Sequence, residues 1–193
     1  AADLKTRMDE VKKAAEAGIV QVTVNFRVKQ SRRWDANSWE DRETPTEKQV
    51  PGIMLSGGKV LVLTGLSRRQ TAKIDSLTVV HGDKSIPLTV EGALVRYAAL
   101  VARCDGAVEG LVPIGQSQAE LTGMIDNLFV GDVLSYDKDA RDERLVRNRV
   151  SGIGEGYMGL LWPSMARGND FVFTLDGKLV AIPIGLRPQI GMQ

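Results

Sequence analysis

The chain has 193 residues with 25 Lys plus Arg against 24 Asp plus Glu, a formal net charge of +1, so no global field draws it to nucleic acid or to an anionic membrane. Hydrophobic residues make up 43%, enough to bury the core of one domain or two small ones. The longest apolar runs fall far short of the roughly 20 residues of a spanning helix, so membrane insertion is not expected.

Ala1-Ala2-Asp3 opens the chain without Met. This is the form left by signal-peptide cleavage, and it sets the expectation of an exported, periplasmic or extracellular protein. Asp3 reads as an N-cap. Leu4, Met8, Val11 and Ala15 then recur at helical spacing up to Gly18, which can stop a helix in a left-handed conformation. The spacing predicts a short amphipathic helix over 4–17. The period then drops to two: Val20, Val22, Val24, Phe26 and Val28 alternate with polar residues, the mark of a half-buried strand. Residues 29–49 are polar and charged, with Arg32, Arg33, Trp34 and Trp39 among them, and read as a long surface loop.

Strands dominate the remainder. Ile53–Leu55 and Val60–Thr64 flank Ser56-Gly57-Gly58, and Leu77–Val80 and Ile86–Val90 flank His81-Gly82-Asp83-Lys84; both are hairpin signals. Val95–Arg103 reads as a further strand, and 106–118 as a connection between halves. Leu128–Val133, Val150–Ile153, Phe171–Thr174 and Leu179–Ile184 continue the pattern, the last two joined by Leu175-Asp176-Gly177-Lys178. Many short strands at regular spacing argue for an all-β sandwich or barrel pair. Lys138–Arg149 is densely charged and reads as a solvated loop or a short surface helix.

The order of these strands resembles the chymotrypsin-like serine proteases, and among them the high-temperature-requirement (HtrA, Deg-type) branch. Val60-Leu61-Val62-Leu63-Thr64 is similar to the strand that leads into the catalytic histidine turn, and Ser76–Leu88 to the hairpin that follows. Arg96–Asp105 resembles the strand that begins with the catalytic aspartate. Leu111–Ser117 is similar to the link into a second barrel, Arg149–Ile153 to one of its strands, and Phe171–Ile184 to the hairpin after the nucleophile. The resemblance implies a double six-stranded β-barrel with a short N-terminal helix. Its parts would be the helix over 1–18, a first barrel over 19–108 and a second over 109–193.

Triad chemistry needs a hydroxyl nucleophile, an imidazole base and a buried carboxylate. By the resemblance, Ser67 falls where the imidazole belongs, and Tyr97 or Ala98 where the carboxylate belongs. The nucleophile position falls on Gly168, or on Asp170 if Gly168-Asn169 match the motif's first two residues. None carries the family's group, and the one histidine, His81, sits in a predicted hairpin turn. Asn169 and Asp170 also stand where a glycine-rich turn would aim the oxyanion donors. The expectation is a degenerate triad and a chain that is not an enzyme: a pseudoprotease that binds or scaffolds a protein or peptide partner, since strand edges of a vacated cleft can add an extended peptide. Two alternatives stand beside it. One is a hydrolase using Ser67 or Ser164 with Lys or Asp helpers; the other is a structural subunit of a larger assembly.

No cofactor or metal is expected from one His and one Cys. Cys104 reads as a small buried hydrophobe. Asp137, Asp139, Asp142 and Glu143 are interspersed with Lys138, Arg141 and Arg144 and lack a calcium-loop spacing. Gly152-Ile153-Gly154-Glu155-Gly156 is no phosphate loop, because no Gly-Lys-Ser/Thr follows. Trp34 and Trp39 beside Arg32 and Arg33 either pack on the chain's own barrel or form a contact patch for a partner or a second copy.

Overall fold

A computed structural model of the chain describes residues 2–33, 39–106, 110–114, 130–137, 145–154, 157–161, 170–174 and 177–182. Val20, Val22, Val24 and Phe26 turn one face of β1 (Ile19–Arg33) into a closed barrel, and all four are buried. The barrel also contains β2 (Trp39–Leu55), β3 (Lys59–Val62), β4 (Ile74–His81), β5 (Lys84–Leu94) and β6 (Ala99–Cys104). Closure runs β1-β2-β3-β6-β5-β4, so the barrel has six strands. Val60, Val62, Leu77, Val79, Leu100 and Ala102 complete its core. Gly52 lets β2 cross that core closely: a Cβ there would lie 2.8 Å from Val22 Cγ2.

The predicted hairpins fall where the glycines are. Gly57 and Gly58 adopt left-handed φ of 74° and 71° in a 3₁₀ turn between β2 and β3, and Gly82 (57°) turns β4 into β5. Two expectations are corrected. Residues 29–33 and 39–49 are not a loop. They form the outer part of a long β1–β2 ribbon whose register runs Ile19↔Ile53 to Arg33↔Trp39. Neither face of this outer part is buried in a core, so no apolar alternation marks it; cross-strand charge does, with Lys29 level with Glu43 and Arg32 level with Glu40. Val95–Arg103 is not one strand either: β5 ends at Leu94, Val95–Tyr97 is a 3₁₀ turn, and β6 starts at Ala99.

A second unit groups the N-terminal helix with the later strands. Here β7 (Val130–Asp137), β8 (Leu145–Gly154), β9 (Tyr157–Leu161), β10 (Asp170–Thr174) and β11 (Leu179–Ala181) form a five-stranded sheet in the order β11-β10-β7-β8-β9. Residues 145–149, expected in a charged loop or short helix, belong to β8. Tyr136, Phe171, Phe173 and Leu179 are buried in this unit. The helix α1 (Ala2–Gly18) buries Val11 and Ala15, one turn apart on a single face. Asp3 lies inside the helix and pairs with Arg7 rather than capping it. Gly18 has no left-handed φ; a Cβ there would meet Ile114 Cγ1 at 2.1 Å, and close packing is what requires glycine. The Val112 N–H donates to the Ala17 carbonyl (3.0 Å), fixing this contact.

One surface cluster ties three barrel strands. Glu91 lies at an irregularity of the β5–β6 ladder, receives Arg103 Nε at 2.6 Å, and pairs with Lys59 Nζ at 3.4 Å. Bonding from Arg103 holds the Glu91 carboxyl below its usual range against the opposing effect of burial, with the charges of Arg103 and Lys59 adding to the lowering. A carboxyl depressed in the folded state contributes stability above its unfolded pKa and loses it as pH falls through the folded one. Glu91→Gln is therefore expected to melt lower than wild type at neutral pH, with the difference shrinking on acidification; thermal melts across the carboxylate range check this. Leu100→Ala, at a position 1% exposed, is expected to cost about 2–5 kcal/mol in denaturant unfolding.

Candidate functional site

The loop after β3 and the turn before β6 meet at one carbonyl. Thr64 is 1% exposed, and its hydroxyl donates to the Ala98 carbonyl oxygen at 2.8 Å. The same oxygen accepts the Gly65 N–H at 3.0 Å. Thr64 Oγ1 also accepts the Leu66 N–H at 3.2 Å, so the hydroxyl is used in both directions. Lys48, reaching from β2, donates Nζ to the Thr64 carbonyl at 3.0 Å. These bonds join β2, the 63–67 loop and the 95–98 turn.

Ala98 is the one non-glycine with positive φ among the described residues (φ 48°, ψ 45°), and it is buried. Left-handed backbone costs an L-residue roughly 1–2 kcal/mol. Such a conformation persists where surrounding bonds over-determine it. Here the Ala98 N–H donates to the Val95 carbonyl (3.2 Å) while its own carbonyl takes two donors. The turn is thus held through both the N–H and the carbonyl of Ala98.

The two loops brought together are those expected to hold the imidazole and carboxylate positions. Ser67 is exposed and caps α2 (Arg68–Thr71). Its hydroxyl donates to Gln70 Oε1 (2.9 Å) and accepts the Gln70 N–H (3.4 Å), while Gln70 Oε1 takes the Ser67 N–H at 3.0 Å. This reciprocal box was legible in the Ser-x-x-Gln spacing. Tyr97 sits on the 3₁₀ turn, 40% exposed. His81 ends β4, opposite Lys84 at the hairpin turn. Asp170 opens β10 opposite Asp137; Gly168 and Ser164 lie outside the described residues.

Arg32, Arg33 and Trp39 fall at the far end of the β1–β2 ribbon, while Trp34 lies outside the described residues. Of the acidic cluster, Asp137 ends β7 and Asp139, Asp142 and Glu143 lie outside. Among the described residues no three His, Cys, Asp or Glu side chains gather as metal ligands. Burial, then the charge of Asp105, pushes the Cys104 thiol up, which leaves little thiolate. No described helix is long and apolar enough to cross a membrane.

No protein-family model and no curated protein matches the sequence. Solved structures do. The HtrA-type protease AlgW with a decapeptide aligns at a TM-score of 0.53 and 13% identity, covering 89% of this chain and 57% of that one. The active form of the Rv3671c protease from M. tuberculosis aligns at a TM-score of 0.47 and 13% identity, covering 89% of this chain and 71% of that one. The chain has the fold of a trypsin-like, HtrA-type protease domain, and it spans little more than half the length of the AlgW chain. The expectation of a chain that is not an enzyme is corrected by this likeness: the structure whose fold it shares is a protease.

Thr64→Val keeps the side-chain shape but removes the hydroxyl from a site 1% exposed. It leaves the Leu66 N–H and one lone pair of the Ala98 carbonyl unpaired, at an expected cost of about 1–3 kcal/mol. Chemical denaturation measures this, and amide exchange at Gly65 and Leu66 is expected to quicken more than in the barrel strands.

Proposed function

We propose that this protease-fold domain engages an extended, apolar peptide segment along β5 and the turn that follows it. The observation that carries the reading is the exposed apolar set of the barrel. Val90 (47%), Leu94 (43%), Val95 (51%) and Tyr97 (40%) all stand out from one stretch of chain. This stretch also has a free edge: β4 pairs with β5 only from His81↔Lys84 to Leu77↔Leu88, so β5 beyond Leu88 has no strand on that side among the described residues. An open edge supplies main-chain bonds to an incoming strand, and flanking apolar side chains supply selectivity. The bonded Ala98 turn pre-organises Val95 and Tyr97, which lowers the entropy lost on binding. AlgW's structure includes a decapeptide, which agrees with a peptide ligand for this fold.

A second reading is favoured by the likeness to a protease: the bound peptide is hydrolysed by residues other than a histidine-based triad. No histidine stands in the 63–67 loop, so the base would come from another residue type. An exported location, periplasmic or extracellular, accompanies both readings as part of the proposal.

The test is a binding titration with fluorescent decapeptides of apolar or polar composition, with each mixture then checked by mass spectrometry for cleavage. Apolar peptides are expected to bind, and Val95→Glu with Tyr97→Glu is expected to weaken them at least about tenfold, or 1.4 kcal/mol. Equal binding of polar and apolar peptides, unmoved by both variants, would refute the site. Appearance of cleavage products would select the second reading over binding alone.

A further inference from the structure

The barrel strands contain two glycines, Gly52 and Gly92. Glycine weakens a strand, so each position needs a reason. Close packing supplies it at Gly52, where a Cβ would crowd Val22. Gly92 has no such reason. Its φ lies outside the left-handed region, so the irregularity of the β5–β6 ladder between Val90 and Gly92 does not demand glycine. A Cβ placed there would meet nothing within 4 Å. The remaining use of a strand glycine is to let a ligand or another backbone come close.

The register places this gap at the end of an apolar band. Ile19 pairs with Ile53, Ile53 with Leu61, Leu61 with Val101, and Val101 with Gly92, a continuous rung across β1, β2, β3, β6 and β5. Val20, Val60, Val62, Leu100 and Ala102 belong to the barrel core, so strand alternation turns the rung between them to the outer wall. Ile19 and Ile53 are buried, Leu61 and Val101 half-buried, and the band runs out at Gly92, on the stretch of β5 that β4 leaves unpaired. The next rung is polar: Lys59, Arg103 and Thr89 are level. Lys59 and Arg103 both reach the Glu91 carboxylate on β5. Two cations on one carboxylate leave a net positive charge over β5, one strand spacing of about 4.8 Å from its open edge.

We propose, resting on the peptide-binding reading above, that Gly92 is the position that sets which peptide is taken. A segment added to the β5 edge places one bulky apolar side chain, aromatic or leucine-sized, in the space over Gly92. It places an acidic residue on the Thr89 side of that position, towards Lys59 and Arg103. The bulky side chain continues the band from Leu61 and Val101, and it buries apolar surface of Val101 and Leu94 together with its own. A side chain on residue 92 would fill the same volume and shut the ligand's out. The acid answers the uncompensated positive charge; at this exposed place it fixes register and carries the salt dependence.

Two decapeptides test this, identical except for Phe or Ala at one central position, beside a Glu in an otherwise small, uncharged background. Wild type is expected to bind the Phe peptide at least about tenfold tighter than the Ala peptide. Gly92→Val is expected to melt no lower than wild type, since valine suits a strand and finds open space. It is also expected to bring the Phe peptide down to the affinity of the Ala peptide. Gln in place of the peptide's Glu is expected to weaken both peptides and flatten their salt dependence. A benzophenone in place of the Phe ring is expected to cross-link to Leu94 or Val101, which decides the matter if Gly92→Val is unstable. Wild type that binds neither peptide would remove the peptide-binding reading itself. Binding with no preference for Phe, a preference that survives Gly92→Val, or cross-links only elsewhere would overturn this inference and leave that reading standing.

Discussion

The join between the 63–67 loop and the 95–98 turn depends on the Ala98 carbonyl. A strained left-handed residue would relax if left alone; here two donors, the Thr64 hydroxyl and the Gly65 N–H, hold it in place. The consequence reaches outward in two directions. It fixes the 3₁₀ turn that displays Val95 and Tyr97. It also fixes the 63–67 loop, which Lys48 anchors again from β2 and which leads directly into the Ser67 cap of α2. An apolar strip on a mobile turn would lose ordering entropy with each ligand; one on a bonded turn loses little. In the proposed reading, this is how a local backbone constraint would serve peptide binding.

The edges of the barrel matter as much as its core. Closure removes most free edges, as barrels do, yet among the described residues two remain in the barrel: β5 beyond Leu88 and the ribbon beyond Arg27 and Pro45. They differ in chemistry. The first is flanked by exposed Val90 and Leu94, the second by alternating acids and bases. In the proposed reading, the flanking side chains select what the first edge admits, an apolar segment.

Much of the architecture was legible wherever one face of an element is buried. Val20 to Phe26 and Phe171 to Thr174 announce themselves because a period of two must match a core. The ribbon was invisible to that signal, since its evidence is cross-strand register and long-range ion pairs, Lys29 with Asp41 and Lys73 with Glu43, which only the fold reveals. Val95–Tyr97 misled because β-branched and aromatic residues favour strands, while tertiary bonds to Ala98 imposed a turn. β9 (Tyr157–Leu161) was missed; a five-residue strand with Gly159 in its middle offers little alternation. At the site, Ser67 and Ala98 were singled out by the family resemblance, and the hydrogen bonds of Thr64 and Gly65 to the Ala98 carbonyl join their two loops. The reach of Lys48 to the Thr64 carbonyl was not legible, because nothing local links residues 16 apart.

The most direct test of the account is amide hydrogen exchange with and without a saturating apolar decapeptide. Protection gained at residues 89–97, with the ribbon and the β4–β5 turn unchanged, is the predicted result. Protection confined to other strands, with 89–97 exchanging as freely as before, would contradict it.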